Sequence, residues 1–177
     1  MVGKQFPREV AKRLFALELK NSVPTEKTGT DEFEPKYVLT ELGEKVNRVF
    51  ICGAAIEKEY VGDKDQNVRV IISDTTGVFT VYANRNFQPE ARAEMEKINV
   101  PEYVSIVGKV NTYSPPGSDK TIVSIRPESV NIIDEKTRDR WVNETSQLTL
   151  ERVKSSQAEE SIKNTYMDIA NGAMKSV

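Results

Sequence analysis

The chain has 177 residues, 25 Lys and Arg against 27 Asp and Glu, a net charge of −2, one cysteine and no histidine. That length suits one compact domain with helical extensions. A single cysteine excludes an intrachain disulfide framework, and the missing histidines remove the usual zinc sites and the commonest general base.

Carboxylate-only magnesium or calcium sites stay open, although no EF-hand spacing is present. No phosphate-cradling glycine loop or nucleophile elbow appears, so neither an enzyme nor a bound cofactor is expected. No apolar run approaches bilayer thickness, and Met1–Pro7 has no signal-peptide core behind it, so a cytoplasmic protein is expected. Cys52 lies in an apolar run and reads as a buried, inert thiol. The overall charge does not announce nucleic acid, so any phosphate-binding footprint must be local.

Pro7 to Lys20 reads as an amphipathic helix, with Val10, Leu14 and Leu17 at i, i+4, i+7. Lys4, Arg8, Lys12, Arg13 and Lys20 make this end basic. Packing on the domain is favoured over a partner-binding helix or a phosphate-contacting arm, because apolar helical stripes usually face a core. Asn21 to Lys36, broken by Pro24, Gly29 and Pro35, reads as a linker.

Lys45 to Tyr60 is a long strand candidate with Gly53 at its middle, where a bend or bulge is expected. A charged loop from Glu57 to Asn67 leads to Val68–Ala83, where two β-branched and aromatic runs flank Asp74-Thr75-Thr76-Gly77. That is a β-hairpin pattern. Val68, Val70 and Ile72 share one face, and Arg69 and Tyr82 fall on the other. Asp74 reads as a turn cap. Pro89 opens a short helix with an Ala91–Met95–Ile98 stripe. Tyr103–Val110, with Gly108 at a bulge, and Thr121–Arg126, ended by Pro127, complete the strands; Ser129–Ile133 is a candidate further edge. Three strands, a helix and two strands is the order of the OB-fold. The expected fold class is mainly β: a five-stranded OB-fold barrel (37–133) preceded by an N-terminal helix and linker (1–36) and followed by a C-terminal helical extension (134–177).

Beyond Asp134 the pattern is helical. Trp141 and Leu148 are seven apart, and Ile162, Tyr166, Ile169 and Ala173 form a stripe. Trp141 is expected to pack on the fold, and Trp141, Leu148, Ile162, Tyr166 and Ile169 are the candidate partner-binding residues, since a helix on a small barrel leaves apolar surface over.

Several runs carry a family resemblance: Tyr37-Val38-Leu39-Thr40, Val46-Asn47-Arg48-Val49-Phe50, Asp74-Thr75-Thr76-Gly77, Phe79-Thr80-Val81-Tyr82-Ala83, Phe87-Gln88-Pro89-Glu90-Ala91, Ser124-Ile125-Arg126-Pro127-Glu128 and Arg138-Asp139-Arg140-Trp141-Val142. In order and spacing, from about Tyr37 to Val153, the chain resembles the archaeal replication protein A–associated OB-fold proteins. It is also similar, more distantly, to the middle subunit of replication protein A. The resemblance implies a single-stranded DNA-binding accessory subunit of a heteromeric replication protein A-like complex, acting in DNA replication, repair and recombination, with the last helix joining other subunits. It implies a stacking aromatic near the end of the third strand, where the closest matches are Tyr82 and Asn84, and a second in the loop after the fourth, better matched by Tyr113.

Binding a single strand requires cations along the phosphates and flat side chains against the bases. The candidate DNA-binding residues are Arg69, Tyr82, Arg85, Lys109, Tyr113, Lys120 and Arg126. Taken singly, Arg69, Lys109 and Arg126 read as a solvated strand face; together they favour a groove. Phe87 is expected to staple the following helix rather than stack. Glu57, Glu59, Asp63 and Asp65 oppose a phosphate path nearby. The competing expectation is an OB-fold scaffold that recruits the true DNA-binding subunit through its C-terminal helix.

Overall fold

The computed structural model describes residues 8–26, 29–30, 32 and 34–177. From Arg8 to Phe15 the chain is not helical. The Lys12 N–H donates to the Arg48 carbonyl and the Phe50 N–H to the Lys12 carbonyl, both at 2.9 Å, which bridges Lys12 in parallel to Val49. The helix expected over Pro7–Lys20 is confined to Ala16–Lys20 (α1); Lys4 and Pro7 lie outside the described residues. The expected stripe fails because Val10 is 80% exposed while Leu14, Phe15 and Ala16 are buried in succession. Three adjacent residues cannot share one face of a helix, and a strand edge with open N–H and C=O groups overrides weak helix propensity.

Helix α1 is capped by the Asp74 turn. The Ala16 N–H donates to Asp74 at 2.7 Å and the Leu17 N–H to Thr76 Oγ1 at 3.1 Å. Asp74 also accepts from the N–H groups of Thr76 and Gly77 at 2.6 and 3.0 Å, so the turn-cap role holds and extends to a second element. Val23–Pro24 (β1), Val38–Leu39 (β2) and Lys45–Val46 (β3) then form a small antiparallel sheet. The segment expected as a linker therefore contributes a strand.

The barrel consists of Arg48–Val61 (β4), Asn67–Ser73 (β5), Val78–Asn84 (β6), Glu102–Tyr113 (β7) and Ile122–Ile132 (β8), with helix Pro89–Glu96 (α2) between β6 and β7. It closes in the order β4-β5-β6-β8-β7. All pairs are antiparallel except β6 with β8. The expected five-stranded barrel with a helix after its third strand is present. Val68, Val70 and Ile72 are fully buried, as the alternation required, each contributing about 1.5–3 kcal/mol.

Gly53 and Gly108 occur where strands approach closely. A Cβ on Gly53 would lie 2.4 Å from the Ser73 carbonyl oxygen, and one on Gly108 would lie 2.4 Å from that of Arg126. Strand β8 does not stop at Pro127 but runs on to Ile132. Pro127 sits opposite Gly108, where the register shifts, and at a bulge no ladder donor is needed from proline.

Asp134 caps Glu135–Ser155 (α3) by accepting from the Thr137 N–H at 2.8 Å, and Glu160–Lys175 (α4) packs against α3. The Trp141 indole N–H donates to the Phe50 carbonyl at 2.9 Å, and its ring meets Phe15 edge-on, with centroids 5.7 Å apart. One core joins Leu14 and Phe15, the barrel interior, Trp141 and Ala173. Among the described residues no helix is long and apolar enough to cross a membrane.

Candidate nucleic-acid interface

Strand alternation builds a groove on the outer side of β6, β7 and β8. Val81 and Ala83 are buried, so Tyr82 and Asn84 fall on the opposite side. Asn67 pairs with Asn84 and Arg69 with Tyr82 across β5–β6. Lys109 pairs with Arg126, Asn111 with Ser124 and Tyr113 with Ile122 across β7–β8. The groove has a volume of about 950 Å³ and is lined by Tyr82, Phe87, Tyr113 and Arg126, with Asn67 and Gln88 among its polar walls. It runs into a neighbouring hollow of about 510 Å³ that shares Phe87, Gln88, Asn111 and Arg126 and adds Lys109. Tyr82 and Tyr113 therefore line the first hollow, Lys109 the second, and Phe87 and Arg126 both.

No family model and no curated protein matches the sequence. Solved structures do match. A chain of the S. pombe Stn1–Ten1 complex superposes with a TM-score of 0.61 at 10% identity, covering 93% of this chain and 98% of that one. A chain of a replication protein A heterotrimer bound to single-stranded DNA gives a TM-score of 0.56 at 14% identity, covering 81% of this chain and 98% of that one. The barrel is an OB-fold. At these identities the likeness is one of fold.

On the OB barrel, the expected DNA-binding residues divide. Tyr82, Tyr113 and Arg126 share the groove, and Lys109 lies in the hollow beside it. Arg69 sits beside Tyr82 but is not a free cation. It donates to Glu57 at 2.9 Å and also pairs with Glu59. The cause is the length of β4, which runs to Val61 and places Glu59 opposite Arg69 in register; the loop expected from Glu57 begins only after it. Arg85 is turned to the backbone, donating to the carbonyls of Lys64 and Asp65 at 3.1 and 3.4 Å, and lines neither hollow. Lys120 lines a separate cleft of about 450 Å³ against α1, which meets the groove at Ile122 and Ser124.

Phe87 overturns the staple expectation. It is 77% exposed and lines both hollows, from a turn just ahead of α2. Asn84, one of the two matches to the third-strand stacking position, lines the groove as an amide, together with Asn67, Gln88 and Asn111, which the sequence does not single out. The β5–β6 and β7–β8 registers bring Asn67, Asn84 and Asn111 to one groove and the N-cap of α2 adds Gln88; no sequence motif marks that.

The expected partner-binding stripe is largely occupied within the chain. Trp141 and Tyr166 are 2% and 1% exposed. Tyr166 packs with Leu42 and Val153, and Ile162 and Ile169 lie half-buried against that cluster. The Tyr166 hydroxyl donates to Glu41 at 2.5 Å. Leu148 is half-buried, while α3 buries Val142, Thr145, Ser146 and Thr149. The physical reason is that α3 and α4 fold against each other, so the apolar stripe of α4 meets α3 and the segment around Leu42. Cys52 is buried, and burial pushes its thiol up to about 12 against the opposing pull of Arg13, which fits the inert role.

Proposed function

We propose that this chain is a non-enzymatic, single-stranded DNA-binding subunit of a replication protein A-like complex, serving DNA replication, repair and recombination. The observation that carries the reading is the convergence of Tyr82, Phe87, Tyr113 and Arg126 on one open groove. Rings can stack on any base, and each stack is worth about 1–3 kcal/mol. Arg126, with Lys109 in the neighbouring hollow, supplies phosphate contacts. The likeness in fold to a chain of a replication protein A heterotrimer bound to single-stranded DNA supports the same reading.

The test is a titration of a labelled, unstructured oligonucleotide at two salt concentrations. Binding that weakens with salt, and weakens again in Tyr113→Ala, is expected. Absence of binding by both the chain and the complex purified from its source would overturn the reading. The pairing of Arg69 with Glu57 and Glu59 favours a second reading, an OB scaffold that recruits a separate DNA-binding subunit. In that case Tyr113→Ala leaves the DNA affinity of the complex unchanged.

A further inference from the structure

The side-chain amides along one wall of the groove are locked in orientation by the backbone. The Asn86 N–H donates to Asn84 Oδ1 at 2.9 Å. A backbone N–H can only donate, so the other end of the Asn84 amide must be its NH₂ group. That Nδ2 donates to Asn67 Oδ1 at 2.9 Å across the β5–β6 register. The Asn84 N–H donates to Gln88 Oε1 at 3.0 Å, and the Gln88 N–H returns a bond to the Asn84 carbonyl at 2.9 Å. Each amide oxygen in this chain of three residues thus accepts one bond, which fixes which end of each amide is the NH₂ group. Asn67 Nδ2 and Gln88 Nε2 remain, both on groove-lining residues beside Tyr82 and Phe87, and neither bonds another described residue.

We propose that these two amide NH₂ groups make the groove selective for bases that carry a carbonyl oxygen, against adenine. This rests on the single-strand reading above and deepens it. Thymine, cytosine and guanine each present at least one carbonyl acceptor, whereas adenine presents ring nitrogens beside an exocyclic amine. A donor held in place by the backbone cannot flip to accept from that amine. Asn111 and Ser124, whose side chains are not locked this way, can adapt to any base and carry no preference. Stacking alone would not disfavour adenine, since every base has a π-face.

Hypoxanthine replaces the adenine amine with a carbonyl and the N1 acceptor with N1–H on the same purine skeleton, so the two amide variants below assign the effect to the carbonyl contact. Oligonucleotides carrying adenine or hypoxanthine between abasic units, which limits self-pairing and self-stacking, are titrated by fluorescence anisotropy. The native chain is expected to bind the hypoxanthine strand roughly three- to tenfold more tightly. Asn67→Asp and Gln88→Glu keep the oxygens that accept from Asn84 but turn each free donor into an acceptor. Their added charge weakens both strands alike, so the ratio between strands is the readout, and it is expected to fall to one or invert. Equal affinities of the native chain for the two strands, or a ratio unchanged in both variants, would overturn the inference while leaving the proposed function standing. Failure to bind either strand, or any other single strand, would remove the proposed function and this inference with it.

Discussion

Arg152 on α3 donates two hydrogen bonds, at 3.0 and 2.8 Å, to the carboxylate of Glu18 on α1. Glu18 is fully buried. The pair fastens the C-terminal helices to the N-terminal segment, 134 residues away in sequence. Removing one partner of a buried pair leaves the other charge uncompensated, at a cost of about 3–5 kcal/mol. Arg152→Met is therefore expected to lower the denaturation midpoint sharply. Burial already holds the Glu18 carboxyl above its usual range, despite the opposing pull of Arg152. A carboxyl whose value is higher in the fold than in the unfolded chain favours stability at low pH and disfavours it as pH rises through the folded value. The variant loses the opposing pull, so its stability should fall more steeply with rising pH than that of the native chain. Urea denaturation midpoints measured from about pH 5 to about pH 8 check this sign.

Ser146 presents the opposite case. Its hydroxyl, on the buried face of α3, has no hydrogen-bond partner among the described residues. An unsatisfied buried hydroxyl costs on the order of 1–3 kcal/mol, and alanine is the better helix former. Ser146→Ala is expected to stabilise the protein by about 1 kcal/mol, measured by chemical denaturation.

Gly108 links the barrel to the groove. A Cβ there would meet the Arg126 carbonyl at 2.4 Å, and this backbone atom belongs to the strand that carries a groove cation. Gly108→Ala should cost about 2–3 kcal/mol, as overpacking does, and should also weaken DNA binding by displacing Arg126. Thermal denaturation and oligonucleotide titration, run on the same preparation, read the two effects.

Arg126 and Arg69 should separate in salt dependence. Arg126→Ala is expected to reduce the slope of log affinity against log salt by about 1, the loss of one phosphate contact. Arg69 is held by Glu57 and Glu59, so Arg69→Ala should leave the slope unchanged. Titrations at several salt concentrations compare the two.

Phe87→Ala should weaken single-strand binding by about 1–3 kcal/mol, as loss of a base stack does, with little change in stability, because the ring is mostly exposed. If Phe87 instead stapled α2, the variant would lose stability and keep its affinity.

Much of the barrel could be read from the sequence because its signals are local. The alternation of Val68, Val70 and Ile72, the turn at Asp74–Gly77 and the proline opening α2 each depend on neighbours within a few residues. The N-terminal segment departs from its expected helix for the converse reason. Leu14 and Phe15 carry an apolar pattern that suits either a helix or an extended strap, and the free edge of β4 near Val49 decided between them.

The site followed the same division. Which residues could stack or carry charge follows from residue type: strand parity places Tyr82 and Arg126 on the outer face, and the family resemblance, not parity, points to Tyr113. Which cations stay free was decided by pairing across strands, where Glu59 faces Arg69. Which apolar residues stay exposed was decided by helices folding back, as α4 does in burying Tyr166. The sequence determined the barrel and its outward rows because a strand's two faces follow from a period of two. Only the tertiary structure decided the neighbours of each charge and amide, because register and packing join residues that no local pattern connects.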